Sequence, residues 1–242
     1  DRERINRYWS PVVAAWYQKN NRPFVDVAFP EQDISAGVLQ AVVTEFRVGK
    51  VEVKGNEWFG SDMLRSQVAL KTGDTIDVAR LNDDITRMNQ NDFRNVTVVT
   101  QKSDTPGATD IILQVDDDFP FRFNAGYANN GAPLTGRDRW NVGVTWGNAL
   151  WMDQQLSYQF SSNEDFWLHP GHVPVKEGDA DFAAHAASYI VPLPWHDRLI
   201  FSGAYSQVRP QIGPDFGEVG VSWQASLRYA IPLAIKGHDD IQ

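Results

Sequence analysis

The sequence predicts two architectures in one chain: an α+β segment over residues 1–118, then antiparallel strands of a partial transmembrane β-barrel over residues 119–242. Three observations predict it. Composition changes at Phe119: residues 1–118 carry 14 basic and 19 acidic side chains, residues 119–242 carry 8 and 12, and six of the nine Trp fall in the second part. Hydrophobic spacing of 3.6 residues, mixed with short strand runs, gives way to a strict period of two. The connections of the second part alternate long and short, as they do when turns lie on one side of a membrane and loops on the other.

In the first part, Ser10-Pro11 reads as a helix start, with the hydroxyl at the N-cap and proline at the first helical position. Val12, Val13, Trp16 and Tyr17 form its apolar stripe, and Asn20-Asn21-Arg22-Pro23 ends it. Strands are predicted over Phe24–Phe29 and Val38–Thr44, so this unit shows α-β-β. A second unit opens at Arg47 with Val48, Val51 and Val53 alternating up to the turn dipeptide Gly55-Asn56. Helical patterns follow over Ser61–Leu70 and Asp77–Asn89, the second with Asp77 as N-cap. Strands over Val96–Thr100 and Thr109–Val115 flank a turn at Asp104–Gly107, giving β-α-α-β-β.

From Phe119 onward six strands are predicted. Trp140, Val142, Val144 and Trp146 alternate with Asn141, Gly143 and Thr145. Leu156, Tyr158 and Phe160 alternate with Ser157 and Gln159. Val219, Val221, Trp223, Ala225, Leu227 and Tyr229 alternate with Ser222, Gln224 and Ser226. Weaker alternation runs through Phe121–Asn129, Asp181–Leu193 and Arg198–Val208. A soluble sandwich alternates as well. Runs of about nine to fifteen residues are long for a sandwich, where about five or six is typical, and suit a bilayer span.

The composition narrows the function. A net charge of −9 argues against nucleic acid as a partner, because binding its phosphates needs clustered positive charge. Zero cysteines removes disulfides and thiolate chemistry. No apolar run of about 18 residues marks a membrane helix. There is no GxxxxGK[ST], and Gly126–Gly131 is a strand-to-loop passage, so no nucleotide cofactor is expected. His169 and His172 lack a third ligand at diagnostic spacing, and Asp116-Asp117-Asp118 reads as a solvated run before a linker, so no metal is expected. No G-x-S-x-G exists, and Glu164-Asp165 lacks a partner for acid/base work, so an enzyme is not expected. The opening DRERINRYWS has no export leader's apolar stretch and the closing PLAIKGHDDIQ reads as a connection, so a piece of a longer chain is expected.

The residues from Phe24 to Trp140 carry a specific resemblance. Pro30–Gln32 (P-x-Q), Gly37–Leu39 (G-V-L) and Arg47–Asn56 (R-V-G-x-V-x-V-x-G-N) resemble the junction between two POTRA domains of two-partner-secretion transporters, the haemolysin-activator (ShlB–FhaC-like) type. LNDDITRMNQNDFRNVTV and TDIILQVDDDFPFRFNAGYANNGAPLTGRDRW resemble the rest of the second POTRA and its passage into the barrel. The resemblance implies residues 1–46 as the C-terminal half of a first POTRA, 47–118 as a second, and 119–242 as about the first six strands of the barrel.

By that resemblance the chain would sit in the outer membrane with its POTRA domains in the periplasm and translocate a large partner exoprotein bearing an N-terminal secretion domain. Val96, Val98 and Thr100 would lie on a POTRA sheet edge that receives the unfolded substrate. Asn141, Thr145, Ser157, Gln159, Ser222, Gln224 and Ser226 would line the pore, and Trp140, Trp146, Trp223 and Tyr229 would face lipid. The alternative is an outer-membrane assembly factor of the BamA or TamA kind. A phospholipase fused to a POTRA and barrel would need a catalytic domain upstream.

Overall fold

A computed structural model describes residues 2–30, 32, 37–164, 180–195, 197–210, 212 and 218–231. The chain divides into two compact units, Asp1–Asp118 and Phe119–Gln242.

The first unit opens with helix α1 (Arg2–Lys19), followed by β1 (Val25–Ala28) and β2 (Val42–Glu45), an antiparallel pair. The helix does not start at Ser10. It already runs when Pro11 enters it, and the Ser10 hydroxyl donates to the Val27 carbonyl at 3.3 Å instead of capping. A proline at mid-helix removes one backbone bond, which the Ser10 tie to β1 partly offsets. The strand predicted over Val38–Thr44 forms only from Val42. Before it, the Gln32 carboxamide engages both backbone groups of Gln40, accepting from its N–H at 2.6 Å and donating to its carbonyl at 2.7 Å.

The rest of the unit is β3 (Arg47–Lys54), α2 (Ser61–Ser66), α3 (Val78–Met88), β4 (Arg94–Lys102) and β5 (Ala108–Asp117), the predicted β-α-α-β-β. Its sheet has the order β3-β5-β4, with β5 parallel to β3 and antiparallel to β4. A bulge interrupts β3 between Val48 and Val51. A side chain at Gly49 would stand 2.2 Å from Asp110 Oδ1, so only glycine fits where this buried carboxylate reaches the Lys50 N–H. Asp77 caps α3 as predicted, accepting from the Arg80 N–H at 3.1 Å. Helix α2 is shorter than predicted. Gln67 closes the helix as its C-cap, Val68 and Leu70 are buried at a spacing of two, and the Ala69 N–H between them donates to Asp84 Oδ2 in place of a helical carbonyl. Phe59, Leu64, Ile76, Met88, Ile111 and Leu113 form the dry centre between sheet and helices, each at most 1% exposed.

The second unit is one sheet of six antiparallel strands: β6 (Phe121–Ala128), β7 (Arg139–Ala149), β8 (Gln154–Ser162), β9 (Phe182–Pro192), β10 (Arg198–Val208) and β11 (Gly220–Ala230). Neighbours in sequence are neighbours in space, in the order β11-β10-β9-β8-β7-β6. No second sheet covers it among the described residues, so a sandwich is not formed. The connections at the end holding Phe121 and Ala230 are residues 150–153 and 193–197; at the other end they are 129–138, 163–181 and 209–219. The tight turn at 150–153 carries no glycine. Leu150, Trp151 and Asp153 all take positive φ there, held by the Asp153 N–H donating to Asn148 Oδ1 at 2.9 Å. No described helix is long and apolar enough to cross a membrane.

Candidate functional site

Two surfaces stand out: one sheet edge in the first unit and the two faces of the sheet in the second. The three-stranded sheet has β3 and β4 at its edges. The outer side of β3 is occupied at Val48 and Val51: the Val48 N–H donates to the Asp74 carbonyl, the Gly73 N–H to the Val48 carbonyl, and Arg65 Nε to the Val51 carbonyl at 3.1 Å. Among the described residues the outer side of β4 is occupied only at its start, by Asn89.

Along β4, alternate residues send their N–H and C=O groups away from β5. Val96 is one of these, and Val98, Thr100 and Lys102 share its parity. The three residues predicted to offer an edge therefore do share one backbone direction, but they differ in what they leave free. Val96 is 1% exposed, its side chain belongs to the core, and its N–H and C=O are both held by Asn89. Val98 packs its side chain against the core while Thr100 is exposed. No described residue bonds the outward backbone groups of Val98, Thr100 or Lys102. Beside Thr100 and Lys102 lies a recess of about 490 Å³, lined also by Phe24, Val25 and Phe46.

The second surface follows from register. One row crosses all six strands as Asn124, Gly143, Gln159, Ala186, Ala204 and Gln224. Its neighbours are Arg122, Thr145, Ser157, Ser188, Ser202, Ser226 and Gly126, Asn141, Ser161, Ala184, Ser206, Ser222. All seven residues predicted to line a pore fall on this face. The opposite face reads Phe123, Val144, Tyr158, Ala187, Gly203, Ala225 along its middle row. Trp140, Trp146, Trp223 and Tyr229 all lie on that side.

The aromatic residues concentrate toward its two ends. Tyr127 meets Trp140 at one, with ring centroids 4.9 Å apart; Phe121 stacks on Trp146 at the other, at 5.1 Å. This apolar face is bare: Phe123 is 75% exposed and Trp223 76%. Trp151 is not on either face, since it belongs to the turn at 150–153.

Several contributors were not legible. His185 sits on the apolar face with its Nδ1 2.7 Å from the Tyr158 hydroxyl, a pair that satisfies two polar groups without water. Asp117, predicted to be solvated with its neighbours, instead accepts from the N–H groups of Glu57, Trp58 and Phe59 at 2.8, 3.0 and 2.9 Å and fixes the approach to α2. Arg139 draws the connection 129–138 inward, donating to the Thr135 and Gly136 carbonyls at 3.1 and 2.9 Å. His169, His172 and Asp165 lie outside the described residues. Among the described residues no three His, Asp or Glu gather as metal ligands would.

The fold so built is a POTRA domain followed by the strands of a partial outer-membrane barrel. Residues 46–117 match the family model POTRA, described as a surface antigen variable number repeat. Residues 107–234, more than half of the chain, match the family described as haemolysin secretion/activation protein ShlB/FhaC/HecB, and the chain belongs to that family. The outer membrane transporter CdiB-2 of Burkholderia pseudomallei (strain 1026b) is 22% identical over 169 residues, 70% of this chain and 27% of that protein. CdiB of Dickeya dadantii (strain 3937) is 24% identical over 153 residues, 63% of this chain and 27% of that protein. The chain thus spans about a quarter of the length of these curated relatives.

Among solved structures, CdiB from Escherichia coli superposes with a TM-score of 0.69 at 17% identity, covering 91% of this chain and 39% of that one. BamA from Haemophilus ducreyi lacking POTRA domains 1–3 gives 0.52 at 15%, covering 93% and 40%. Both likenesses concern the fold.

Proposed function

We propose that the protein exports one large partner protein across the outer membrane by two-partner secretion. The observation that supports this most is the register of the six-stranded sheet, which sorts small polar side chains to one face and bare aromatic and aliphatic ones to the other. A face of Phe, Val, Trp and Tyr with no covering layer among the described residues suits contact with lipid. The polar face then lines a hydrated passage whose Asn, Gln, Ser and Thr side chains offer weak, exchangeable hydrogen bonds to a sliding chain. Trp140, Trp146 and Tyr229 anchor the ends of the span and Trp223 contacts lipid nearer the middle.

In this reading residues 1–46 end one POTRA, residues 47–118 form a complete one, and both lie in the periplasm. An unfolded substrate exposes unpaired backbone groups, and the open edge of β4 receives it as an added strand with little demand on its sequence. The partner is a secreted protein with an N-terminal secretion domain. Folding of the substrate outside the cell supplies the direction.

Deleting the whole gene and comparing culture medium and outer membrane with the parent strain tests this. Loss of one large secreted protein with the other barrels unchanged is expected. A general loss of outer-membrane barrels would instead assign the protein to assembly of the BamA kind.

A further inference from the structure

The open edge of β4 has a built end. Asn89 follows the last turn of α3, and its carboxamide turns to Val96: Nδ2 donates to the Val96 carbonyl at 2.9 Å and Oδ1 accepts from the Val96 N–H at 2.7 Å. One donor and one acceptor on a single residue's N–H and C=O is the pair of bonds that a neighbouring antiparallel strand would make there. The same outward groups on Val98, Thr100 and Lys102 meet no described residue. The edge is therefore divided, filled by a side chain at its start and open over residues 98–102.

We propose that Asn89 is the terminator of the strand-addition site: an extended polypeptide pairs with β4 from Lys102 to Val98 and is stopped at Val96. This inference rests on the strand-capture reading above and specifies its extent. The open stretch is about 17 Å long at roughly 3.4 Å per residue, and it offers three N–H and three C=O groups. At its Lys102 end, the recess lined by Phe24 and Phe46 would accept one apolar side chain of the added segment. The preferred ligand class is thus a short extended run of unfolded chain. A limit at Val96 keeps that run short, so a chain in transit is held reversibly and does not become a permanent fourth strand. The Gln32 carboxamide does the same elsewhere, filling both backbone groups of Gln40.

The chain has no cysteine, so introduced ones report position cleanly. Asn95, Thr97, Val99 and Gln101 all point to the exposed face of β4, away from the core. Single cysteines at these sites, in the full chain in detergent, would be oxidised with a ten-residue alternating Thr/Val peptide carrying one central cysteine.

With Asn89 present, disulfide formation is expected at Val99 and Gln101, and at least about tenfold less at Asn95. In Asn89→Ala the Asn95 position should rise to the level of Thr97, and the peptide should bind about fivefold to thirtyfold tighter through the two bonds gained. Asn89→Asp keeps an acceptor for the Val96 N–H and loses the donor. It should give intermediate extension, and it carries the test if the alanine variant does not fold.

Cross-linking at Asn95 equal to that at Val99 with Asn89 in place would overturn the terminator while leaving strand capture standing. An Asn95 signal unchanged in both variants would do the same. Absence of cross-linking at all four positions would overturn strand capture and the terminator with it.

Discussion

Ala186 and Ala187 sit side by side at the centre of β9, an interior strand of the six, and both are exposed. They differ only in face. Ala186 shares its row with Gln159 and Ala204, whereas Ala187 shares its row with Tyr158 and Gly203. Replacing either by Arg adds the same side chain to the same strand, so effects on strand propensity cancel between the two variants. Toward lipid, an Arg near the middle of the span costs about 2–4 kcal/mol, while one in the water-filled interior costs close to nothing. At about 1.4 kcal/mol per factor of ten, Ala187→Arg should raise the unfolding equilibrium constant about 30- to 700-fold over Ala186→Arg. With a slope of about 2 kcal/mol per molar urea, the two midpoints should separate by about 1–2 M. The assay is tryptophan fluorescence of the whole gene product in phosphatidylcholine vesicles, titrated with urea. Equal midpoints, or a larger loss for Ala186→Arg, would refute the assignment of the aromatic face to lipid and with it the pore.

Three further outcomes follow from the same geometry. Asp117→Ala strips one carboxylate from three backbone N–H groups and should cost about 2–4 kcal/mol in urea unfolding; a loss under about 0.5 kcal/mol would show that these donors are equally well served by water. Lys50 Nζ lies 2.7 Å from Glu52 Oε1. The hydrogen bond from Lys50 holds the Glu52 carboxyl below its ordinary value, and the bond to Glu52 holds the Lys50 ammonium above its own. The carboxylate's share of stability is present above its unfolded pKa and lost as pH falls through the lower folded value. The ammonium's share is present below its unfolded pKa and lost as pH rises through the raised folded one. Glu52→Gln should therefore flatten both limbs slightly in melting curves taken across pH, the effect being small because the pair is solvated. Finally, β6 and β11 each have a single strand neighbour among the described residues. These 242 residues alone should associate in detergent-free buffer, and light scattering from a stable monomer would contradict that.

The second unit was the more legible half of the sequence, although each of its strands carries a weak signal. Period-two alternation fixes which side chains share a face, and antiparallel pairing of consecutive strands leaves only the register to be chosen. A choice that buries no core still aligned Gln159 with Gln224 across four strands, because any slip by one residue would place Ser and Gln among Phe and Trp. The turn at 150–153 was readable as short but not in its conformation, since Leu150 and Trp151 at positive φ go against the preference for glycine or asparagine there. In the first unit, helix limits failed where tertiary bonds outweighed local preference. Ser10 met Val27 in place of a helix N-terminus, and Asp84 took the Ala69 N–H that would have continued α2. The candidate edge was legible as a strand but not as an edge with an end. Asn89 reads as the last residue of a helix, and its partner Val96 as one of three edge residues alike.

Edge management explains why such carboxamides matter here. A sheet edge with unpaired N–H and C=O groups accepts any extended chain, including a second copy of itself. Several edge positions of the first unit are protected against this: β3 at Val48 and Val51 by residues 73–74 and Arg65, the segment at Gln40 by Gln32, and the start of β4 by Asn89. Along β4, the outward groups of Val98, Thr100 and Lys102 meet no described residue. Had selection acted only for solubility, a lysine or proline pointing along that stretch, or one more carboxamide, would have closed it at little cost. Lys102 at its far end leaves the backbone bonds of Val98 and Thr100 open. A β4 edge filled at its start and open over one short run, beside an apolar recess, suits the proposed brief and reversible capture of unfolded chain.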